Sequence, residues 1–143
     1  MGAAQGEDAA LQKARNLAIQ CSLPVIMFRW PAKGNLSDYG ANENVCTRSM
    51  SRVLQFFDHL ETVLPANQTI LVGHSMGTRF LIETLDRRYA KSTAFNEPYH
   101  MCILAGADAE AEPFCQKLTK ITQGSKVTVI FFHKSDAALF CSS

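Results

Sequence analysis

Four short apolar runs punctuate the chain: "VIMFRW" at 25–30, "TILVG" at 69–73, "MCILAGA" at 101–107 and "KVTVIFF" at 126–132. The stretches between them carry apolar residues at helical spacing, and this alternation constrains the fold more than any other feature. Apolar runs this short have the length of strands, whereas a period of three to four residues belongs to amphipathic helices. Strand and helix in turn imply crossover helices joining parallel strands. Runs that are apolar throughout further predict a sheet covered on both faces. The expected class is therefore α/β, an open, mostly parallel sheet with helices on both faces.

The helices read as follows. Glu7 and Asp8 open the first, over 7–21, with Ala10, Ala14, Leu17, Ala18 and Cys21 at helical spacing and Pro24 as its stop. "PAKGNLSDYGANEN" at 31–44 is a loop by composition. Cys46, Met50, Val53, Leu54, Phe57, Leu60 and Leu64 then make one stripe that ends at Pro65. A third helix runs from Met76 to Tyr89 and buries Phe80, Leu81, Leu85 and Tyr89. A fourth spans Glu112 to Ile121, and "SDAALF" begins another. No repeat or linker divides the 143 residues, so residues 1–143 are expected to form a single domain.

Composition removes several function classes. A net charge of +1 gives no electrostatic capture of nucleic acid or anionic membrane. The cluster Arg79, Arg87, Arg88 and Lys91 reads as the solvated face and tail of one helix. No run approaches the roughly 18 apolar residues of a membrane span. The first twenty residues lack the apolar core of a signal peptide. Cys21, Cys46, Cys102, Cys115 and Cys141 show no CxxC spacing, which argues against a disulfide framework and a zinc site and for a reducing, cytoplasmic setting. No cofactor and no metal are expected.

Chemistry concentrates in "TILVGHSMGTRF", residues 69–80. Gly73-His74-Ser75-Met76-Gly77 matches G-x-S-x-G, and a strand before it with a helix after it is the context a nucleophile elbow needs. Such a turn is strained, and glycines flank it because side chains there collide with strand and helix. It raises the Ser75 hydroxyl above the sheet edge and sets the Met76 backbone N–H beside it as an oxyanion donor. The helix N-terminus then lies under the developing negative charge.

A serine nucleophile needs a base, and the base an orienting acid. Asp136 in "HKSDAAL" and Asp108 in "LAGADAE" both follow strands. Asp136 is favoured and Asp108 is the alternative, because in the order Ser, acid, His the acid sits two strands after the nucleophile. The base is harder to find. His74 adjoins Ser75 and is expected to pack below the elbow, since successive strand side chains diverge. His59 lies on a helix flanking the sheet, His100 precedes its strand at the wrong end, and His133 sits at a strand terminus. No histidine follows Asp136 in the sequence. A nucleotide-binding reading fails because the turn lacks GxGxxG or GKS/GKT.

Taken together, "PVIMFRWPAKGNLSDY", "ILVGHSMGTRFLIETL", "ILAGADAEAEPF" and "FFHKSDAAL" resemble the alpha/beta-hydrolase esterase/lipase superfamily. The closest likeness is to a bacterial alpha/beta-hydrolase family of unknown function, and it covers nearly the whole chain. The resemblance implies that Ser75 is the nucleophile, Asp136 its acid, and Trp30-Pro31 a loop near the site. It also implies an earlier strand with a His-Gly turn and a final strand with the catalytic histidine, neither of which falls within this sequence. The expected activity is serine hydrolysis of a small-molecule or lipid ester through an acyl-enzyme. The alternative is a catalytically inactive fragment or pseudoenzyme lacking the base. An incomplete sheet also predicts marginal stability and self-association through exposed edges.

Overall fold

In a computed structural model of the chain, residues 2–30, 39–91, 97–106 and 111–131 are described. They fall into two compact units, Met1–Val45 and Cys46–Ser143.

The first unit begins with α1, Gly2–Cys21. It starts before the Glu7-Asp8 pair, because Ala3 and Ala4 are strong helix formers and extending a helix is cheaper than nucleating one. Ala10, Ala14 and Ala18 are half-buried along one face, whereas Leu17 and Cys21 are exposed. Closure comes from the backbone ahead of Pro24. Ser22 turns left-handed (φ 53°), its N–H reaches the Ile19 carbonyl (3.3 Å), and the Leu23 N–H reaches that of Ala18 (3.2 Å). That double bond pattern satisfies the last carbonyls of a helix. Residues 24–30 carry neither helix nor strand, which corrects the strand expected at 25–30. Apolar composition gives a segment the capacity for a strand, and tertiary context decides whether it becomes one.

The second helix, α2, spans Tyr39–Val63, and the division between the units falls at Val45/Cys46. Its first six residues, 39–44, were expected in the loop. They extend a helix nucleated by the strong apolar stripe behind them. Within the second unit that stripe is the buried face: Cys46, Met50, Val53, Phe57 and Leu60 are buried. Pro65 follows the end of α2, and a single 3₁₀ turn, Ala66–Gln68, leads to the sheet.

The sheet contains β1 (Ile70–His74), β2 (Met101–Ala105) and β3 (Thr128–Phe131). All are parallel, in the order β1-β2-β3. Ile70 lies opposite Met101 and Cys102 opposite Thr128. Helix α3 (Gly77–Lys91) joins the first pair and α4 (Ala111–Gln123) the second. The "SDAALF" helix lies outside the described residues.

Strands that progress in one direction, joined by right-handed crossovers, put every crossover helix on the same face. With the order β1-β2-β3 this sets α3 and α4 on one face of the sheet. Leu71 and Gly73 of β1 and Cys102 and Leu104 of β2 are buried, while Ile70, Val72 and His74 are exposed. Leu85, Leu104, Ile121 and Tyr99 make the centre of the core beneath the helices. Among the described residues, no helix is long and apolar enough to cross a membrane.

Polar braces tie the helices together. Arg88 of α3 donates to Asp58 (2.5 Å) and Glu61 of α2, and the Tyr99 hydroxyl donates to the same Glu61 carboxylate. Arg88 is therefore no part of a solvated face: only 18% of its side chain is exposed. Lys117 and Lys120 of α4 reach Glu83 and Asp86 of α3. The Phe57 and Tyr99 rings meet edge to face at 6.3 Å.

Helix α3 crosses β1 so closely that a Cβ on Gly73 would lie 3.0 Å from the Thr78 Cα and 3.1 Å from the Gly77 carbonyl oxygen. Both atoms belong to backbone, which cannot step aside. Gly73→Ala is expected to lower stability by about 1–3 kcal/mol, measured as a lower midpoint in urea unfolding.

Burial also pushes the Cys102 thiol up to about 12 from an ordinary 9.0. It raises the Tyr99 phenol as well, with help from the hydrogen bond to Glu61. The unfolded chain releases these protons first, so stability is whole below pH 9 and falls as pH rises toward 12. Each group contributes about a tenfold loss of the folding constant per pH unit in its window. Cys102→Ala is expected to flatten the part of that decline that begins near pH 9.

Candidate functional site

The carboxyl ends of β1, β2 and β3 lie side by side, because the three strands are parallel and in register. Ligands of open α/β sheets bind at this end of the strands. Two left-handed residues mark it. Ser75 follows β1 with φ 52°, and Gly106 follows β2 with φ 55°. Glycine adopts that region freely, whereas serine is strained there.

Ser75 is held in place from two sides. Its N–H donates to the Ala105 carbonyl at the end of β2 (2.9 Å). Its carbonyl accepts two hydrogen bonds from Thr78, one from the backbone N–H (2.8 Å) and one from the hydroxyl (2.7 Å). Thr78 itself is fully buried. The Met76 carbonyl accepts from the Arg79 N–H (3.2 Å), and α3 begins at Gly77. Strand, left-handed turn and helix thus occupy 70–91 in the order that G-x-S-x-G calls for.

Exposure separates the residues of the turn. Ser75 is half-buried, and the Met76 side chain is buried at 9% exposure. The first turn of a helix has backbone N–H groups without intrahelical acceptors, and the Met76 N–H stands at that end of α3. Among the described residues it meets no backbone acceptor. The positive end of the α3 dipole adds to its pull on an anion.

His74 does not pack below the elbow as expected. It is exposed, on the same face as Ile70 and Val72. The reason is strand alternation: Gly73 points toward α3, so its neighbour points to the opposite face. His100 stands just before β2, and its N–H donates to the Ala66 and Thr69 carbonyls at the amino end of the sheet. His59 is exposed near the end of α2, the helix that feeds the amino end of β1. Neither reaches the end that carries Ser75.

Asp108, Asp136 and His133 lie outside the described residues. The Gly106 N–H donates to the Phe131 carbonyl (2.8 Å), so the left-handed turn after β2 is tied to the end of β3. Cys102 is fully buried in β2 with its thiol held protonated, so it offers no thiolate. Among the described residues, no cluster of His, Cys, Asp and Glu is arranged to hold a metal ion.

Thr78 is the residue that sequence reading passed over. A threonine in the first turn of a helix is ordinary, and only the fold shows its hydroxyl bonded to the Ser75 carbonyl.

No curated protein and no solved structure matches the chain. A family model does, over residues 7–143, and its description as an alpha/beta hydrolase agrees with the parallel sheet and its crossover helices. The chain belongs to the family described as "Alpha/beta hydrolase of unknown function (DUF900)".

Proposed function

We propose that the protein is a serine carboxylic-ester hydrolase whose nucleophile is Ser75. The observation that carries this reading is the left-handed backbone of Ser75 (φ 52°) between β1 and α3. A non-glycine residue in that conformation costs about 1–3 kcal/mol, and such strain gathers at functional sites.

In this reading the Ser75 Oγ attacks the carbonyl carbon of an ester, small or lipid, and its proton passes to a base. The tetrahedral oxyanion accepts a hydrogen bond from the Met76 N–H at the positive end of α3. Collapse expels the alcohol, which takes up the proton, and leaves an acyl-enzyme. Water then releases the acid and restores the serine. Asp136, with Asp108 as alternative, orients the base. His74 and His133 are the histidines of this sequence that adjoin the carboxyl ends of strands, so both belong in the test. The five cysteines without paired spacing fit a reducing, cytoplasmic setting.

A fluorophosphonate probe tests the nucleophile directly. The expected result is one label per chain on Ser75, none on Ser75→Ala, and loss of p-nitrophenyl acetate hydrolysis by about 10⁴-fold or more in that variant. His74→Ala and His133→Ala, assayed beside it, identify the base by a comparable loss. An unlabelled but folded wild-type protein refutes the nucleophile and favours a catalytically inactive member of the family.

A further inference from the structure

Resting on the reading of Ser75 as nucleophile, we propose that Thr78 is a positioning residue for the oxyanion donor. Its hydroxyl fixes the Ser75–Met76 peptide plane and thereby aims the Met76 N–H.

The argument begins with the rigidity of that plane. Among the described residues there are no cis peptide bonds. In a trans unit the carbonyl of one residue and the N–H of the next point in opposite directions. Whatever anchors the Ser75 carbonyl therefore sets the direction of the Met76 N–H. Thr78 is the anchor, through its N–H at 2.8 Å and its hydroxyl at 2.7 Å. Both donors pull the carbonyl into the first turn of α3, so the Met76 N–H is turned out of the helix's amino end.

The two bonds are not redundant. The backbone bond closes a single turn of 3₁₀ type, and such turns are shallow in energy and tilt easily. The hydroxyl adds a second donor from a fully buried side chain. On the far side of Ser75, the N–H is held by the Ala105 carbonyl at 2.9 Å. A residue strained in the left-handed region stays there only when its surroundings over-determine it. The Thr78 hydroxyl is the side-chain member of that set. An oxyanion donor acts in the transition state and leaves ground-state binding almost untouched, so misaiming it lowers kcat and spares KM.

The test compares Thr78→Ser with Thr78→Ala. Serine keeps the hydroxyl and loses the methyl, alanine loses both, and the difference between them isolates the hydroxyl. Turnover of p-nitrophenyl acetate is divided by the serine sites titrated exhaustively with fluorophosphonate, so only folded molecules are counted. Thr78→Ser is expected to keep kcat within about threefold of wild type. Thr78→Ala is expected to lower it about tenfold further, the equivalent of one hydrogen bond, with KM unchanged. If Thr78→Ala does not fold, the volume-conserving Thr78→Val takes its place under the same criterion.

Equal kcat for the serine variant and its hydroxyl-free counterpart overturns the positioning role while the nucleophile stands. A rise in KM at constant kcat overturns it too. Equal turnover by wild type and Ser75→Ala removes the nucleophile itself, and the positioning role with it.

Discussion

Everything at the carboxyl end of this sheet depends on how closely α3 approaches β1. The space for a Cβ at Gly73 is taken up by the backbone of Gly77 and Thr78, so the helix axis can lie almost against the strand. A chain that must turn from strand to helix in so little room has few routes. The left-handed conformation of Ser75 is the one taken here. The strained serine and the buried Thr78 are thus consequences of one packing distance. Removing the strain by relaxing Ser75 would move α3 off the strand and open the core around Leu81 and Leu85.

Most of this architecture was legible from the chain because strand and helix have different periods. Runs such as "TILVG" and "MCILAGA", set between helical stripes, place β1, α3, β2, α4 and β3 within a few residues of their positions. The misreadings share a physical origin. "VIMFRW" has a strand's composition, yet pairing depends on a partner that composition does not specify. Arg88 reads as a surface cation until Asp58, Glu61 and Tyr99, distant in sequence, are brought around it.

The site divides the same way. Ser75 and its two glycines form a local signal, since the elbow's geometry is imposed by residues next to one another. An acid and a base distant in sequence leave no such local pattern. The bond from Thr78 is a case in between: it spans three residues, but its meaning depends on where the helix sits. His74 shows the limit of reasoning by adjacency, because alternation along β1 sends it to the face opposite α3.

The helical layer is secured differently from the strands. Arg88 is mostly withdrawn from solvent, at 18% exposure, and shares the carboxylates of Asp58 and Glu61, of which Asp58 is open to water at 65%. Lys117 and Lys120 are more open, and exposed pairs of that kind contribute only about 0–1 kcal/mol each.

The order of strands in space repeats their order along the chain, and each ladder closes across a single helix. A polypeptide leaving the ribosome can therefore complete β1-α3-β2 before the residues of β3 have emerged. The register that brings Ala105 to the Ser75 N–H belongs to that earlier unit. The strand order thus lets the turn carrying the serine form ahead of the sheet's last strand.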